Sequence, residues 1–220
     1  MAFLSIKKVL EEAIVKRPDI GGSRVFCGMD EAGRGPWAGP VVAAVVVFRG
    51  KDLRIKGLKN SKALTAEKRE EIYRKLKTKV FFGVGSATHE EIDELGLIKA
   101  TNRAFTRALE ALKKDKSRRP PDLLIIDGRD KFNMPIPYVS VIKGDEKVKI
   151  VACASIIAKV ERDKIMKKYA KKFPLYGFDE NMGYGTKRHQ KGIKEHGICE
   201  IHRRTYEPVA RLSRQTEMFG

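Results

Sequence analysis

Five stretches of the chain are short, apolar and rich in β-branched or aromatic residues, without the spacing of an amphipathic helix. Such runs predict buried strands, and they lie at Val25–Asp30, Pro40–Phe48, Val80–Ala87, Leu123–Asp127 and Tyr138–Ile142. The segments between them carry helix-capping residues or apolar residues at helical spacing. They predict helices at residues 65–77, from about 90, 99–113, 146–172 and 187–196. We therefore predict an α/β fold in which five strands are surrounded by helices.

The two ends of the chain add smaller units to this domain. Phe3–Lys16 has an amphipathic pattern that Pro18 and Gly21 interrupt, which predicts an N-terminal helix within residues 1–20. We expect one domain over residues 24–213, with a core at about 24–172 and a small helical C-terminal extension at about 173–213. Residues 214–220 are expected to form a frayed tail.

The composition points to a polyanionic partner. Lys and Arg number 46 against 28 Asp and Glu, so the formal net charge is +18 and nucleic acid is the leading candidate. Hydrophobic residues make up 42% of the chain, which excludes wholesale disorder. The longest apolar run, Val41–Phe48, is too short to cross a membrane, and three cysteines far apart offer no disulfide framework. We expect a cytoplasmic monomer without membrane contacts.

Carboxylates stand where three of the predicted strands end. Asp30 and Glu31 close the first strand, Asp127 closes the fourth, and Asp145 follows the fifth. Because α/β folds place their sites at strand ends, these side chains are expected to lie at one edge of the sheet. Clustered carboxylates would repel one another, and hard cations such as Mg²⁺ or Mn²⁺ would relieve that repulsion. For any one of them alone, an ordinary polar strand end is the alternative.

Two glycine-containing motifs are candidates for substrate contact. In Gly33-Arg34-Gly35 the glycines allow the backbone close to a sugar–phosphate while the guanidinium contacts phosphate, although a simple turn is the alternative. In residues 183–187, Tyr184 stands between two glycines and near a basic residue. An exposed tyrosine there could stack on a sugar or base, with Lys187 on phosphate, and a tyrosine buried in a turn is the alternative.

Four residues near the C-terminus have side chains that occur in zinc sites. They are spaced seven, three and three residues apart, at His189, His196, Cys199 and His202. No cysteine pair anchors such a site, however. Histidines that lie on the surface or contact phosphate are therefore favoured over zinc ligands.

Several sequence blocks occur in an order that is typical of one enzyme family. The first is Gly28–Val41, and the others lie at residues 60–64, 126–128, 143–145, 154–163, 183–189 and 201–204. Together they resemble the type 2 ribonuclease H, or ribonuclease HII, family over about residues 25–209. The probability that so many blocks match in this order by chance is negligible. Asn60 departs from the pattern, because the family often has Asp there, and the departure bears on substrate contact or loop structure.

The resemblance implies a ribonuclease H-like fold with a five-stranded mixed sheet flanked by helices. It implies endonucleolytic hydrolysis of the RNA strand in RNA/DNA hybrids and cleavage 5′ of single ribonucleotides embedded in duplex DNA, leaving 3′-hydroxyl and 5′-phosphate ends. Two Mg²⁺ or Mn²⁺ ions about 4 Å apart would straddle the scissile phosphate. The residues implied to bind them are Asp30, Glu31, Asp127 and Asp145.

Substrate contacts follow from the same resemblance. Gly33, Arg34 and Gly35 are implied to recognise the ribose 2′-hydroxyl. Tyr184 is implied to pack against the sugar on the deoxy side of the junction. Further contacts with the nucleic-acid backbone are implied for Ser61, Lys62, Lys143, Thr186 and Lys187.

Two other classes of protein are compatible with part of the sequence. A non-catalytic nucleic-acid-binding protein would explain the charge but not the four carboxylates at strand ends. Another two-metal nuclease, such as an integrase-like enzyme, would explain the carboxylates but not Gly33–Gly35 together with Tyr184.

A short segment near the C-terminus resembles a known docking peptide. Gln215–Phe219 has the Gln-x-x-hydrophobic-Phe pattern with which bacterial replication proteins bind the sliding clamp. Because the motif is so short, a chance pentapeptide is the alternative.

Overall fold

The computed structural model describes residues 3, 4, 8, 25–49, 55, 57, 58, 64–115 and 120–219, and of residues 215–219 it describes the backbone only. The strands are β1 (Phe26–Ala32), β2 (Val41–Phe48), β3 (Val80–Ala87), β4 (Leu123–Asp127) and β5 (Tyr138–Val141). The helices are α1 (Ala66–Lys79), α2 (His89–Leu95), α3 (Leu97–Lys113), α4 (Gly144–Lys147), α5 (Lys149–Lys172), α6 (Phe178–Asn181), α7 (Lys187–His196) and α8 (Glu207–Phe219).

The strands form one five-stranded mixed sheet in the order β3-β2-β1-β4-β5. β2 is antiparallel to β1 and β3, whereas β1, β4 and β5 run parallel to one another. β1 is therefore central, and its C-terminal end lies beside the C-terminal end of β4. This confirms the mixed five-stranded sheet flanked by helices.

Helices cover both faces of the sheet. α5 packs on one face, where its apolar residues join Ala44 and Ile125 in a buried cluster. α3 packs on the other face, where Phe105 joins Cys27 and Met29. Gly28 lies where α5 crosses β1, and an added Cβ would be 2.5 Å from the Ile150 carbonyl carbon. Only glycine allows the two backbones to lie this close.

We expect Gly28→Ala to lower the free energy of unfolding by about 1–3 kcal/mol, because its methyl group would push α5 away from β1. Urea denaturation followed by circular dichroism measures the effect. Gly35→Ala is the matched control, since a Cβ there meets only Tyr184 Cε1, at 3.6 Å. Equal stability of Gly28→Ala and wild type would show that this interface accommodates the added carbon.

The C-terminal extension is helical and has an apolar core of its own. Tyr176, Phe178 and Ile193 pack there against Ala38 and Met166 of the main domain. α8 continues to Phe219, so the last residues have a helical backbone where the sequence analysis expects a frayed tail. Buried Val209 and Leu212 anchor the first part of this helix.

Two element boundaries differ from those expected. β1 runs two residues beyond Asp30, because Glu31 and Ala32 still pair with β2. The helix expected at 146–172 is divided at Val148, whose backbone is extended, with φ −120° and ψ 113°. The predicted N-terminal helix lies outside the described residues except for residues 3, 4 and 8. In the described ranges, no helix is both long and apolar enough to cross a membrane.

Candidate active site

The sheet and the turn after β5 bring the four predicted carboxylates to one pocket. Asp30 and Glu31 lie on β1, Asp127 ends β4, and Asp145 lies on α4. The parallel register of β1 and β4 places Asp30 beside Asp127. All four side chains line a single cavity of about 380 Å³.

Hydrogen bonds fix the positions of Asp127 and Asp30. Asp127 Oδ1 accepts a hydrogen bond of 2.5 Å from the Gly144 N–H, which ties the end of β4 to the start of α4. Lys143, directly before that glycine, has a left-handed backbone with φ 56° and turns the chain into α4. On the other side of the pocket, the Ser155 side chain of α5 is hydrogen bonded to Asp30.

The pocket disfavours the ionised form of its buried carboxyls. Burial raises the pKa of Asp30 well above its ordinary value, and the negative charges of Glu31 and Asp127 raise it further. Burial also raises the pKa of Glu31 to about 7, although the Arg34 guanidinium opposes the shift. A bound cation would favour the ionised carboxylates and offset their repulsion.

The donor set suits a hard divalent cation. Its members are carboxylate oxygens, the ligands that Mg²⁺ and Mn²⁺ prefer. Glu31 Oε2 is buried and has no hydrogen-bond partner among the described residues. Within those residues, however, no group of three or more His, Cys, Asp or Glu side chains already has the arrangement of a metal site. The carboxylates therefore share a pocket without forming a closed ligand shell.

The Gly33–Gly35 loop forms the rim of this pocket. Gly33 has φ +100°, and an added Cβ would lie 2.1 Å from Arg162 Nε, so internal packing already requires glycine there. Arg34 Nη1 is 2.5 Å from Asp130 Oδ2 and 3.3 Å from Glu31 Oε1. The guanidinium is thus held beside the carboxylates by a second acid that the sequence analysis did not single out.

Tyr184 lies at the same rim, against Gly35. Its side chain is 46% exposed, so it is not the tyrosine buried in a turn that was the alternative interpretation. Asn181 and Gly183 form the turn before it, where the Asn181 side chain accepts a hydrogen bond from the Gly183 N–H at 2.8 Å. An exposed ring is therefore presented to the pocket by a hydrogen-bonded turn.

Other predicted contacts lie elsewhere. Lys143, Thr186 and Lys187 are exposed and do not line the carboxylate pocket. The Thr186 side chain caps α7 by accepting from the His189 N–H, and Lys187 lies with Lys191 on an outer surface of that helix. Ser61 and Lys62, like Asn60, lie outside the described residues.

Three polar or charged residues of the pocket were missed as site residues by the sequence analysis. They are Arg69 from α1, and Ser155 and Lys159 from α5. Arg69 Nη1 and Lys159 Nζ lie 3.4 and 3.1 Å from the Asp163 carboxylate. Asp163 thus holds two basic side chains along one wall of the pocket. The spacing of Ser155 and Lys159, four residues apart on a helix, could have indicated a shared face.

Among the residues that the structure describes, the candidate zinc ligands near the C-terminus do not form a group arranged as a metal site. His196 is exposed, unlike the other two histidines. His189 and His202 are buried, with their Nε2 atoms 2.9 Å apart, so the expectation of surface histidines is wrong for both. Burial lowers the pKa of both imidazoles, that of His202 to about 3, because aromatic rings surround them.

Comparisons with known proteins agree with this arrangement. The ribonuclease HII family model matches residues 27–209. A ribonuclease HII of Endomicrobium trichonymphae is 45% identical over 193 residues, which are 87% of this chain and 89% of that protein. The crystal structure of ribonuclease H2 from Pyrococcus horikoshii is similar, with TM-score 0.71 and 30% identity over 88% of this chain and 99% of that one.

A second solved structure is a complex of PCNA and ribonuclease HII from Archaeoglobus fulgidus. It is similar with TM-score 0.70 and 29% identity over 85% of this chain and 96% of that one. The family model spans every element from β1 to the start of α8, including all four carboxylates and Tyr184. The chain therefore belongs to the ribonuclease HII family, the ribonuclease H hydrolases that cleave the RNA of RNA/DNA hybrids.

Proposed function

We propose that this enzyme cuts RNA/DNA hybrids and also cuts 5′ of a single ribonucleotide embedded in duplex DNA, using two divalent cations. The observation that carries the proposal is the common pocket of four carboxylates, the Gly33–Gly35 loop and the exposed ring of Tyr184. Carboxylates alone would serve many nucleases. A glycine-rich backbone and an aromatic ring beside them suit recognition of sugars on both sides of a scissile phosphate.

Asp30, Glu31, Asp127 and Asp145 would hold Mg²⁺ or Mn²⁺. When bound, such ions activate water for attack on a phosphodiester and stabilise the leaving oxygen. The positions of the carboxylates would determine where the cations bind, and Glu31, whose Oε2 is buried without a hydrogen-bond partner among the described residues, lines the same pocket. Because these side chains do not close a ligand shell on their own, substrate oxygens would complete the coordination.

Recognition of the substrate would be divided among the other residues around the pocket. The backbone of Gly33–Gly35 would contact the ribose 2′-hydroxyl, the one group that distinguishes RNA from DNA there. Tyr184 would pack against the following deoxyribose, where an added hydroxyl would crowd the ring. Arg69 and Lys159 along the wall would contact phosphates close to the cut.

More distant contacts with the nucleic-acid backbone would come from the basic surface outside the pocket. Lys187 and Lys191 on α7 form part of that surface. We propose the same kind of contact for Lys143 and Thr186, and for Ser61 and Lys62. Contacts of this type strengthen binding without selecting a sequence.

The direct test is cleavage of three matched duplexes: all DNA, DNA with one ribonucleotide, and a uniform RNA/DNA hybrid. We expect cleavage of the last two in Mg²⁺ or Mn²⁺, and none of any duplex in EDTA. Cleavage that persists in EDTA would contradict the cation requirement. Cleavage of the hybrid alone would contradict recognition of a single ribonucleotide.

We also propose that Gln215–Phe219 binds a sliding clamp. The related Archaeoglobus protein was solved in complex with PCNA, and this segment ends α8 at the edge of the C-terminal extension. Deletion of residues 215–220 should abolish capture by the cognate clamp while cleavage of a short hybrid is unchanged, because the pocket lies elsewhere. A pull-down with both proteins measures this, and equal capture would contradict the clamp contact.

A further inference from the structure

We propose that Ile201–Arg203, here called the positioning segment, sets the separation between the Gly33–Gly35 loop and Tyr184. It thereby sets the preference for a ribonucleotide–deoxyribonucleotide junction, an inference that rests on the sugar recognition proposed above. His202 and Arg203 are consecutive residues, both 1% exposed or less. Arg203 acts on the Gly33–Gly35 loop, and His202 acts on Tyr184.

The backbone of the positioning segment pairs with the chain that follows the Gly33–Gly35 loop. His202 forms an antiparallel bridge with Ala38. The Gly39 N–H donates to the Ile201 carbonyl at 2.9 Å, and the Arg203 N–H donates to the Trp37 carbonyl at 2.8 Å. Because successive side chains of an extended segment point to opposite sides, His202 and Arg203 are directed to different neighbours.

Arg203 holds the loop. Its Nη2 donates to the Gly33 carbonyl at 2.5 Å, and its Nη1 donates to the Arg34 carbonyl at 2.9 Å. The Tyr206 hydroxyl donates to the same Arg34 carbonyl at 2.6 Å. In a trans peptide the N–H points away from the C=O. These bonds therefore turn the N–H groups of Arg34 and Gly35 away from the guanidinium. The two N–H groups can then donate to acceptor oxygens of a substrate.

Burial of a guanidinium at this position is energetically unfavourable unless its N–H groups form hydrogen bonds. Arg203 is completely buried, and burial lowers its pKa. The side chain donates hydrogen bonds to the backbone carbonyls of Gly33, Arg34 and Gly39 and to the Tyr206 hydroxyl. Its hydrogen bonds therefore mainly hold backbone groups in place. An apolar core residue would fill the space but could not orient these peptide groups.

His202 acts on Tyr184 through His189. The Tyr184 carbonyl can only accept, so His189 Nδ1, at 2.9 Å, carries the proton. Neutral His189 then has a bare Nε2, which must accept from His202 Nε2–H at 2.9 Å. His202 Nδ1 is left as an acceptor for the Cys199 N–H, also at 2.9 Å, a shorter contact than the 3.2 Å to the Cys199 carbonyl oxygen.

The hydrogen bonds thus run in one direction from Cys199 through both imidazoles to Tyr184. Each imidazole has one proton, in agreement with pKa values that burial lowers in both. The Tyr184 carbonyl, which accepts at one end of this series of hydrogen bonds, and the Cys199 N–H, which donates at the other end, determine both tautomers. The positioning segment is therefore connected to Tyr184 on one side and to Gly33 and Arg34 on the other.

Two substitutions of His189 separate these connections. Asparagine places an amide where Nδ1 lies, so His189→Asn keeps a donor for the Tyr184 carbonyl and loses the bond to His202. Glutamine places an amide where Nε2 lies, so His189→Gln keeps the bond to His202 and loses the donor to Tyr184. The measured quantity is the junction preference, defined as kcat/KM on a single-ribonucleotide duplex divided by kcat/KM on a uniform hybrid.

We expect both variants to lower the junction preference, because each breaks one of the two hydrogen bonds that connect His202 to Tyr184. The loss should be about tenfold in His189→Gln, where the Tyr184 carbonyl loses its donor, and about threefold in His189→Asn, on the scale of one buried hydrogen bond. Both variants remove the same ring from the same aromatic surroundings. A purely structural role would lower Tm and slow cleavage of every substrate equally in both. That result, or an unchanged preference in either variant, would overturn the proposal.

The loop side of the positioning segment is tested by Arg203→Lys, which keeps the charge but loses the planar arrangement of donors. We expect a fall in kcat/KM on the single-ribonucleotide duplex of about tenfold to a hundredfold, chiefly in kcat. Tyr206→Phe removes one hydroxyl and keeps the ring, so it tests the Arg34 carbonyl contact if Arg203→Lys fails to fold. Wild-type kcat and junction preference in Tyr206→Phe would contradict this side of the proposal.

Fluorescence of Trp37, the one tryptophan of the chain, tests the positioning without any substrate. Its ring centroid is 5.8 Å from that of His189, and its backbone N–H donates to the Gly183 carbonyl at 2.8 Å. Displacement of residues 183–185 should shift its emission in His189→Gln more than in His189→Asn. If wild type shows no junction preference, the proposed sugar recognition is contradicted. If Trp37 emission is identical in the two His189 variants, the proposed role of the positioning segment is contradicted.

Discussion

Asp30→Asn and Asp145→Asn should each abolish cleavage while binding of an RNA/DNA hybrid survives. Each substitution removes a carboxylate charge from the pocket without changing the shape of the side chain, and both residues are at most 5% exposed. We expect a loss of roughly a hundredfold to a thousandfold or more, the scale on which enzymes lose activity when charge stabilisation at the reacting group is removed. Cleavage in Mg²⁺ and hybrid binding in EDTA are the two measurements.

Glu110→Gln is the matched control for these variants. It makes the same chemical change at an exposed position of α3, on the opposite face of the sheet from α5. We expect normal cleavage from Glu110→Gln, and no loss of stability in EDTA from Asp30→Asn, because the carboxylates of the pocket repel one another. Near-normal turnover of either aspartate variant in Mg²⁺ would contradict the assignment of these residues.

Tyr184→Ala should lower cleavage of a single-ribonucleotide duplex by roughly tenfold to a hundredfold, which corresponds to about 1–3 kcal/mol for a lost stacked aromatic. Tyr184→Phe should retain most activity, because the ring rather than the hydroxyl would press on the deoxyribose. The side chain is 46% exposed, so neither change should lower Tm appreciably.

Leu175→Ala provides a comparison at an exposed apolar side chain outside the pocket. It should leave the preference for the junction unchanged. A well-folded Tyr184→Ala protein with the wild-type preference would contradict sugar packing by this residue. An equal loss on every substrate, accompanied by a lower Tm, would indicate a structural role instead.

The strands and their terminal carboxylates could be predicted from the sequence because each is specified by a short, continuous stretch of residues. An apolar run that ends in Asp127 predicts a strand with an acid at its edge wherever that strand lies in the sheet. The same holds for Asp30, although pairing with β2 extends β1 past it. That these two acids lie side by side depends on the parallel pairing of β1 and β4, which no local pattern specifies.

The buried charges of the C-terminal extension could not be predicted in this way. The sequence around Arg203 is strongly basic and is typical of a solvated surface. In the structure Arg203 is completely buried, because carbonyls of residues far away in the chain accept its hydrogen bonds. Arg69 was missed for a similar reason, since its place in the pocket follows from packing of α1 beside α5.

The glycines of the loop illustrate a third limit of sequence reasoning. Their pattern suggests close approach to substrate, and Gly35 is open enough for it. Gly33 instead lies against Arg162 with a positive φ, so its small size is required by the interior of the protein. One motif thus contains one residue explained by packing and one that lies at the pocket surface.

Mapping the cut in a duplex that carries one ribonucleotide tests the central claim most directly. Incubation with Mg²⁺ or Mn²⁺, followed by analysis of the products at single-nucleotide resolution, locates the broken bond and identifies its ends. We predict one cut on the 5′ side of the ribonucleotide, leaving 3′-hydroxyl and 5′-phosphate ends, and no product from Asp30→Asn. A cut at another position, a cyclic phosphate end, or wild-type cleavage by Asp30→Asn would contradict the account.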